Sequence, residues 1–283
     1  MTMRVFAILI GLLGVGLFHA PARGASDAPQ APRARARLLA EHQNLAPGKR
    51  AWLALEFAIE PGWHMYWKGQ NDTGMPPQLE FELPDGYSVS EVQWPAPERH
   101  IAPGGLVDSI LHEQMTLLIG VDVPVNAKVG TSARLGVKAE WLVCQEACVM
   151  EDAAFKVTLP VRDAMPAAQP DPKATGVFAA ARERLPKKLP KEEPPAKVEW
   201  RGDKVTIDAP GASLLVFHPE EDAVAMQSPL KEGETKGSRL QFGVKQPKGD
   251  QQLRGVLEIR KGDSKPEYYQ ISVSKPAPAG SGS

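Results

Sequence analysis

Cysteine is nearly absent from this chain: among 283 residues there are two, Cys144 and Cys148. No second cysteine-rich knuckle exists to complete the four ligands of a closed zinc site, so metal ligation by the pair is a remote reading. An excess of one charge is also lacking. The 33 basic and 34 acidic residues leave a net charge of -1, too balanced to point to nucleic acid or an anionic membrane as partner. Beyond residue 25 no apolar run approaches the roughly 20 residues that a spanning helix needs. There is no hydrolase elbow, no phosphate-cradling glycine loop and no zinc-protease helix motif. Adjacent carboxylates occur at Glu151-Asp152 and Glu220-Glu221, but neighbours on a strand point to opposite faces. They read as solvated charges. His42, His100 and His218 lie far apart in sequence and define no site.

The one apolar run, Val5 to Phe18, follows Arg4 and precedes small residues at Ala20, Ala22 and Gly24. Residues 1–25 therefore read as a secretory signal that is removed. Loss of Arg4 and Arg23 takes the net charge from -1 to -3. No lipobox cysteine follows, so lipidation is not expected, and with no later run long enough to span, the mature chain is expected to be exported and not membrane-spanning. Export matters to the cysteines, because an oxidising compartment lets a disulfide persist.

Residues 26–35, rich in Pro, Ala and Arg, read as a disordered lead-in. From about Ala36 the pattern turns β-like. Arg50 to Ile59, Gln78 to Leu83, Tyr87 to Trp94, Thr116 to Val123, Ala133 to Val143 and Ala154 to Val161 predict strands at the spacing of a β-sandwich. Turn signals such as Pro61-Gly62 and Pro84-Asp85-Gly86 separate them. One helix is predicted over Asp171 to Lys187, with Val177, Phe178, Ala181 and Leu185 on one face and Pro186 at its end. We thus expect an all-β protein: a sandwich over 36–185 that closes on this short helix, a Lys/Glu/Pro linker over 186–196, a second and smaller β-domain over 197–275, and a flexible tail over 276–283.

The cysteines carry the chemistry. Residues i and i+4 of a continuous strand lie about 13 Å apart, whereas a disulfide wants its Cα atoms within about 7 Å. The alternation through Leu135, Val137, Ala139, Trp141 and Val143 predicts a strand running into a tight turn at Gln145-Glu146-Ala147 that brings Cys148 back beside Cys144. A helical turn would also bring them within range. A bridge closing so short a loop contributes only about 2 kcal/mol, a weak reason for a long chain to keep both cysteines. We read the pair as redox-active in preference to a local staple. Glu140, Glu146, Glu151 and Asp152 surround it, with no Lys or Arg within five residues of either cysteine. Negative neighbours raise a thiol pKa, so the reduced pair is expected to be a poor nucleophile, relayed through by a partner's low-pKa cysteine. Cys148, after the turn, is expected to be the more exposed sulfur.

Several segments carry a resemblance to a known family: Pro61-Gly-Trp-His-Met-Tyr-Trp-Lys68, Thr73-Gly-Met-Pro-Pro77, Leu83-Pro-Asp-Gly86, Gln93-Trp-Pro-Ala-Pro97 and Trp141-Leu-Val-Cys-Gln-Glu-Ala-Cys148. Together they resemble the periplasmic amino-terminal region of the transmembrane thiol:disulfide interchange (DsbD) family, including its copper-sensitivity-suppressor branch. The resemblance implies an immunoglobulin-like sandwich in the periplasm. It implies that Cys144 and Cys148 are a redox pair passing electrons from a membrane-embedded thiol:disulfide reductase to thioredoxin-like periplasmic proteins, without a cofactor. It also implies a cap over the cysteines, for which Arg99 to Glu113 is the comparable stretch, with Ile110, Leu111 or His112 shielding the sulfurs. Full-length members continue into a membrane carrier and a thioredoxin-like domain that this chain does not contain, so it is expected to be either a stand-alone carrier supplied by a separately encoded reductase or a relative that has kept the fold and changed its job. Trp63, His64 and Tyr66, with Met65 and Trp67, read either as core packing or as a docking patch or Cu(I) ligands. A binding module with a structural disulfide and a copper-handling protein are the competing functional readings, and cytochrome c biogenesis and copper tolerance the expected contexts.

Overall fold

The computed structural model of the protein describes residues 31–163, 169–245 and 252–275. The signal, the first half of the lead-in (26–30) and the tail read from the sequence lie outside the described residues, and Ala34 and Arg35, read as disordered lead-in, instead pair with Ile59 and Ala58. Ten strands come first: β1 (Ala34–Ala40), β2 (Arg50–Ile59), β3 (His64–Tyr66), β4 (Gln78–Glu82), β5 (Ser88–Gln93), β6 (Glu98–Ala102), β7 (Leu106–His112), β8 (Gln114–Asp122), β9 (Ser132–Cys144) and β10 (Cys148–Pro160). Helix α1 (Thr175–Glu183) follows. The remainder is β11 (Lys187–Lys188), β12 (Lys197–Arg201), β13 (Lys204–Asp208), β14 (Leu214–Pro219), α2 (Pro229–Glu232), β15 (Glu234–Thr235), β16 (Arg239–Gly243), β17 (Gln252–Arg260) and β18 (Glu267–Ser274).

The first ten strands make an immunoglobulin-like sandwich. One sheet runs β1-β2-β8-β5, and the other runs β10-β9-β3-β7-β6, with β4 pairing β9 beyond the end of β3. Period-two alternation in β9 sends Leu135, Val137, Ala139, Trp141 and Val143 into the shared core. There Trp141 meets Phe57 of β2 edge to face at 5.1 Å. Strand β8 is apolar on both faces because both are covered: Ile119 looks into the sandwich, while Leu118 looks out against Phe178 and Ala181 of α1. The helix is shorter than Asp171 to Lys187. The Asp171 side chain accepts from the Lys173 N–H in a turn ahead of it, and Leu185-Pro186 lead straight into β11, so the chain leaves the helix with its apolar face already covered.

A second pair of sheets, β11-β18-β17-β14-β15 and β12-β13-β16, closes on its own core, where Phe217 stacks on Phe242 at 5.4 Å. At the start of this domain, Lys197 to Asp208 forms the hairpin β12–β13. Gly202, at φ +62, makes the turn between them. Lys187–Lys188, inside the stretch read as a linker, pair parallel with Tyr269 and Gln270 of β18.

The two sandwiches touch through a junction that is apolar at Val256 and Tyr268, which pack against the first core, and polar around them. Gln70 donates to the carbonyls of Glu220, Ala223 and Val224, and Lys68 pairs with Glu220 at 2.7 Å. Ser109 of β7 meets Nδ1 of the buried His218 at 3.0 Å, and Arg99 of β6 donates to the carbonyls of Pro229 and Leu230. Glu220, read as a solvated charge, is thus paired with Lys68 and Arg254. Glu151 is also engaged: it accepts from the Trp141 indole at 3.0 Å and from the backbone of Arg33 and Ala34, tying the start of β1 to the β9–β10 hairpin.

Candidate redox site

The β9–β10 hairpin decides the geometry of the cysteines. Its ladder places Cys144 directly opposite Cys148, with three residues in the turn and a Gln145 N–H bond to the Ala147 carbonyl at 3.1 Å. The two Cα atoms stand 4.1 Å apart and the sulfurs are bonded. The strand ending and three-residue turn expected from the alternation are therefore what the chain adopts. Both side chains leave the sandwich core and point to the outer face of the sheet, because Val143 and Trp141 take the inner one. Cys144 is 2% exposed, whereas Cys148 is open to solvent.

Strand β3 lies beside the end of β9 and aims three successive side chains by the same alternation. His64, opposite Cys144, faces outward; Met65, opposite Val143, enters the core; Tyr66 faces outward again. Tyr66, Ile110 and Cys144 form a small apolar cluster with Leu142 against it. The turn before β3 needs its glycine. Gly62 has φ +82, and a Cβ there would stand 3.0 Å from the Gln145 side chain of the cysteine turn.

Arg99 to Glu113, expected as a cap loop, is instead mostly the β6–β7 hairpin, which extends the sheet past β3. Ile110 packs with Cys144 in the apolar cluster. Leu111 does not, because one residue along a strand reverses the face and buries it in the core. His112 stands opposite His64, with Nε2 3.6 Å from a Glu98 carboxylate oxygen.

Two features were not foreseen. His100, dismissed on sequence separation, brings its ring to 5.2 Å from that of His64. Burial lowers the His64 pKa, and His100 and His112 add to this while Asp108 opposes it. A cleft of about 600 Å³ opens here, lined by Trp63, His64, His100, Ile110 and His112 among others. The second feature is a hydrogen-bonded chain under the disulfide. The Tyr66 hydroxyl lies 4.0 Å from Sγ of Cys148 and 3.0 Å from Oγ1 of Thr73, which donates to Oδ2 of Asp108 at 2.7 Å. Oδ1 of Asp108 accepts from the N–H groups of Asp72 and Thr73. Asp108 shares the outward phase of β7 with Ile110 and His112, a period-two signal that was present in the sequence.

Residues 35–160 match the model of a family described as thiol:disulfide interchange protein DsbD, N-terminal. This segment belongs to the DsbD N-terminal family. Among solved structures, the N-terminal periplasmic domain of ScsB from Proteus mirabilis superposes with a TM-score of 0.56 at 13% identity, over 88% of this chain and 96% of that one. That likeness is one of fold and extends through both sandwiches. The reduced DsbD N-terminal domain from Neisseria meningitidis aligns over 44% of this chain and 86% of its own at 13% identity, with a TM-score of 0.28. No curated protein matches the chain.

Within the DsbD-type domain, the aromatic segment before β3's end divides by face. Trp67 and Met65 are buried in the core together with Met115, while Met75 is exposed, so these soft donors do not converge with His64. Trp63 packs at the edge of the core with the Arg33 guanidinium 5.0 Å above its ring. Among the described residues, no group of three or more His, Cys, Asp or Glu side chains is placed to hold a metal ion, and no helix is long and apolar enough to cross a membrane.

Proposed function

We propose that the chain is a periplasmic electron carrier that exchanges thiols and disulfides through Cys144 and Cys148, taking electrons from a membrane reductase and giving them to thioredoxin-like proteins. The observation that carries this reading is the asymmetry of the pair: an exposed Cys148 at a turn, bonded to a Cys144 buried beneath Ile110 and Tyr66, in a DsbD-type domain. In the donating direction, the Cys148 thiolate attacks a partner disulfide and expels one partner sulfur as a thiolate. Cys144 then attacks Sγ of Cys148, the mixed disulfide breaks, and the second partner sulfur leaves. Two electrons pass to the partner, whose two sulfurs take up the two protons given up by the pair. In the accepting direction a reductase thiolate attacks Cys148, Cys144 leaves and is protonated, and the reductase's second thiolate releases Cys148.

Burial of Cys144 supports the order in which Cys148 is met first and Cys144 resolves. A staple alone is the weaker reading, since the ladder already holds the two positions together and so short a closed loop adds only about 2 kcal/mol. The deciding experiment is the reduction potential of the pair, obtained by equilibration against defined thiol buffers with trapping of free thiols. A value of roughly -120 to -270 mV is expected for an exchange protein, and one below about -300 mV would mark a structural bridge.

A further inference from the structure

Counting hydrogens along the chain beneath the disulfide gives a direction. An ionised carboxylate only accepts, a hydroxyl has one hydrogen to give, and its oxygen accepts. Asp108 takes the N–H groups of Asp72 and Thr73 on one oxygen and the Thr73 hydroxyl hydrogen on the other. Thr73 then has only lone pairs to offer Tyr66, so the phenol hydrogen lies on the Tyr66–Thr73 bond. What Tyr66 presents to Cys148 is therefore its oxygen lone pairs.

We propose that Asp108 and Thr73 act as positioning residues that fix Tyr66 as a hydrogen-bond acceptor toward Cys148, so that the reduced cysteine rests as a thiol and not as a thiolate. The inference rests on the exchange reading above, since only a pair that is reduced in its cycle presents an S–H. A thiol hydrogen bonded to an acceptor is stabilised over its thiolate, which raises the thiol pKa. A resting thiol is a slow reductant of small disulfides, because the thiolate is the attacking species. Exchange is thereby confined to partners that dock and change the surroundings of Cys148.

The ring that carries the phenol is closely packed. Gly74 passes so close to Tyr66 that a Cβ there would fall 2.2 Å from Cε2 and Cζ of the ring. Burial pushes the Tyr66 pKa up and Asp108 adds to this, against Thr73, so the phenol keeps the hydrogen it gives to Thr73. The other titratable groups nearby are His64 on β3, opposite Cys144, His112 on β7, opposite His64, His100 on β6, whose ring stands 5.2 Å from that of His64, and Glu146 in the cysteine turn. His64 is held toward its neutral form by burial and offers the sulfur little positive charge.

The test is the alkylation rate of Cys148 against pH in the reduced protein, read in a Cys144→Ser background so that one thiol titrates, with thermal melting to confirm folding. Thr73→Val frees the Tyr66 hydrogen to turn toward the sulfur, Tyr66→Phe removes the acceptor, and Asp108→Asn offers Thr73 a donor that reverses the chain. Each is expected to lower the apparent pKa of Cys148 by about one unit, close to ten-fold more thiolate at neutral pH. A rise with Tyr66→Phe would show that the phenol donates to the thiolate, and no change with Thr73→Val would show that the chain sets no direction; either result overturns the proposal. The outcome is independent of the reduction potential that tests the exchange reading, so failure of one is not failure of the other.

Discussion

The two sandwiches are built alike and used differently. Each buries a core of aliphatic and aromatic residues between two sheets, with Phe57 and Trp141 in the first and Phe217 and Phe242 in the second. Only the first carries cysteines, and it carries them on an outward face next to a cleft. The second contributes no residue to the disulfide's surroundings, yet it grips the two segments that do. Lys68 and Gln70 sit in the loop between Tyr66 and Thr73, and Ser109 adjoins Asp108. Chemistry on an exposed face needs its supports held from behind, and the second sandwich lies where it can hold them.

That comparison can be broken at the second core first. Phe217→Ala removes a side chain that is 2% exposed and is expected to cost about 3–5 kcal/mol. Urea unfolding should show one transition shifted as a whole, because the junction couples the two cores; two separate transitions would show sandwiches that stand independently. The reduction potential of the folded variant should stay at the wild-type value.

A smaller change in stability, with the opposite effect on chemistry, is expected from replacing Cys144 and Cys148 together by serine. Thermal unfolding should fall by the equivalent of about 2 kcal/mol, while reduction of a thioredoxin-like partner drops to background. Retained turnover would remove the pair from the mechanism.

The effect that is smallest at neutral pH belongs to the junction and grows only with acid. Burial, with the Arg99 cation adding to it, pushes the His218 pKa down from 6.5 to about 3. The unfolded chain takes up a proton there near pH 6.5 and the folded chain only near pH 3. Its contribution is therefore complete above pH 6.5 and declines as the pH falls toward 3, by at most about 1.4 kcal/mol per pH unit. His218→Gln should flatten the acid limb of the stability curve across that window in denaturant titrations. An unchanged limb would mean that His218 is protonated in the fold.

Much of this was legible in the residues alone. Alternation from Leu135 to Val143 named the strand, and the four-residue spacing after it allowed Cys144 and Cys148 to pair only through a tight turn or a helical one. The face of α1 was readable from Val177, Phe178 and Ala181. The site's surroundings were less so. Arg99 to Glu113 was expected to be a cap only through the family resemblance, yet Pro103-Gly104-Gly105 is the turn of a hairpin, and the alternation on either side puts Ile110 beside Cys144 and Leu111 in the core. His100 escaped notice because 36 residues separate it from His64 and only the sheet brings β6 near β3.

The sequence by itself determined the strand periods and set the two cysteines close enough to pair across a turn, since each depends on residues within a few positions of one another. Only the tertiary structure decided that Thr73 and Asp108, 35 residues apart, meet beneath Tyr66, and that Gln70 and His218 join two sandwiches. Such contacts depend on sheet order and on the route of the loops between strands, which period-two patterning leaves open, so they exist only once the sheets have closed.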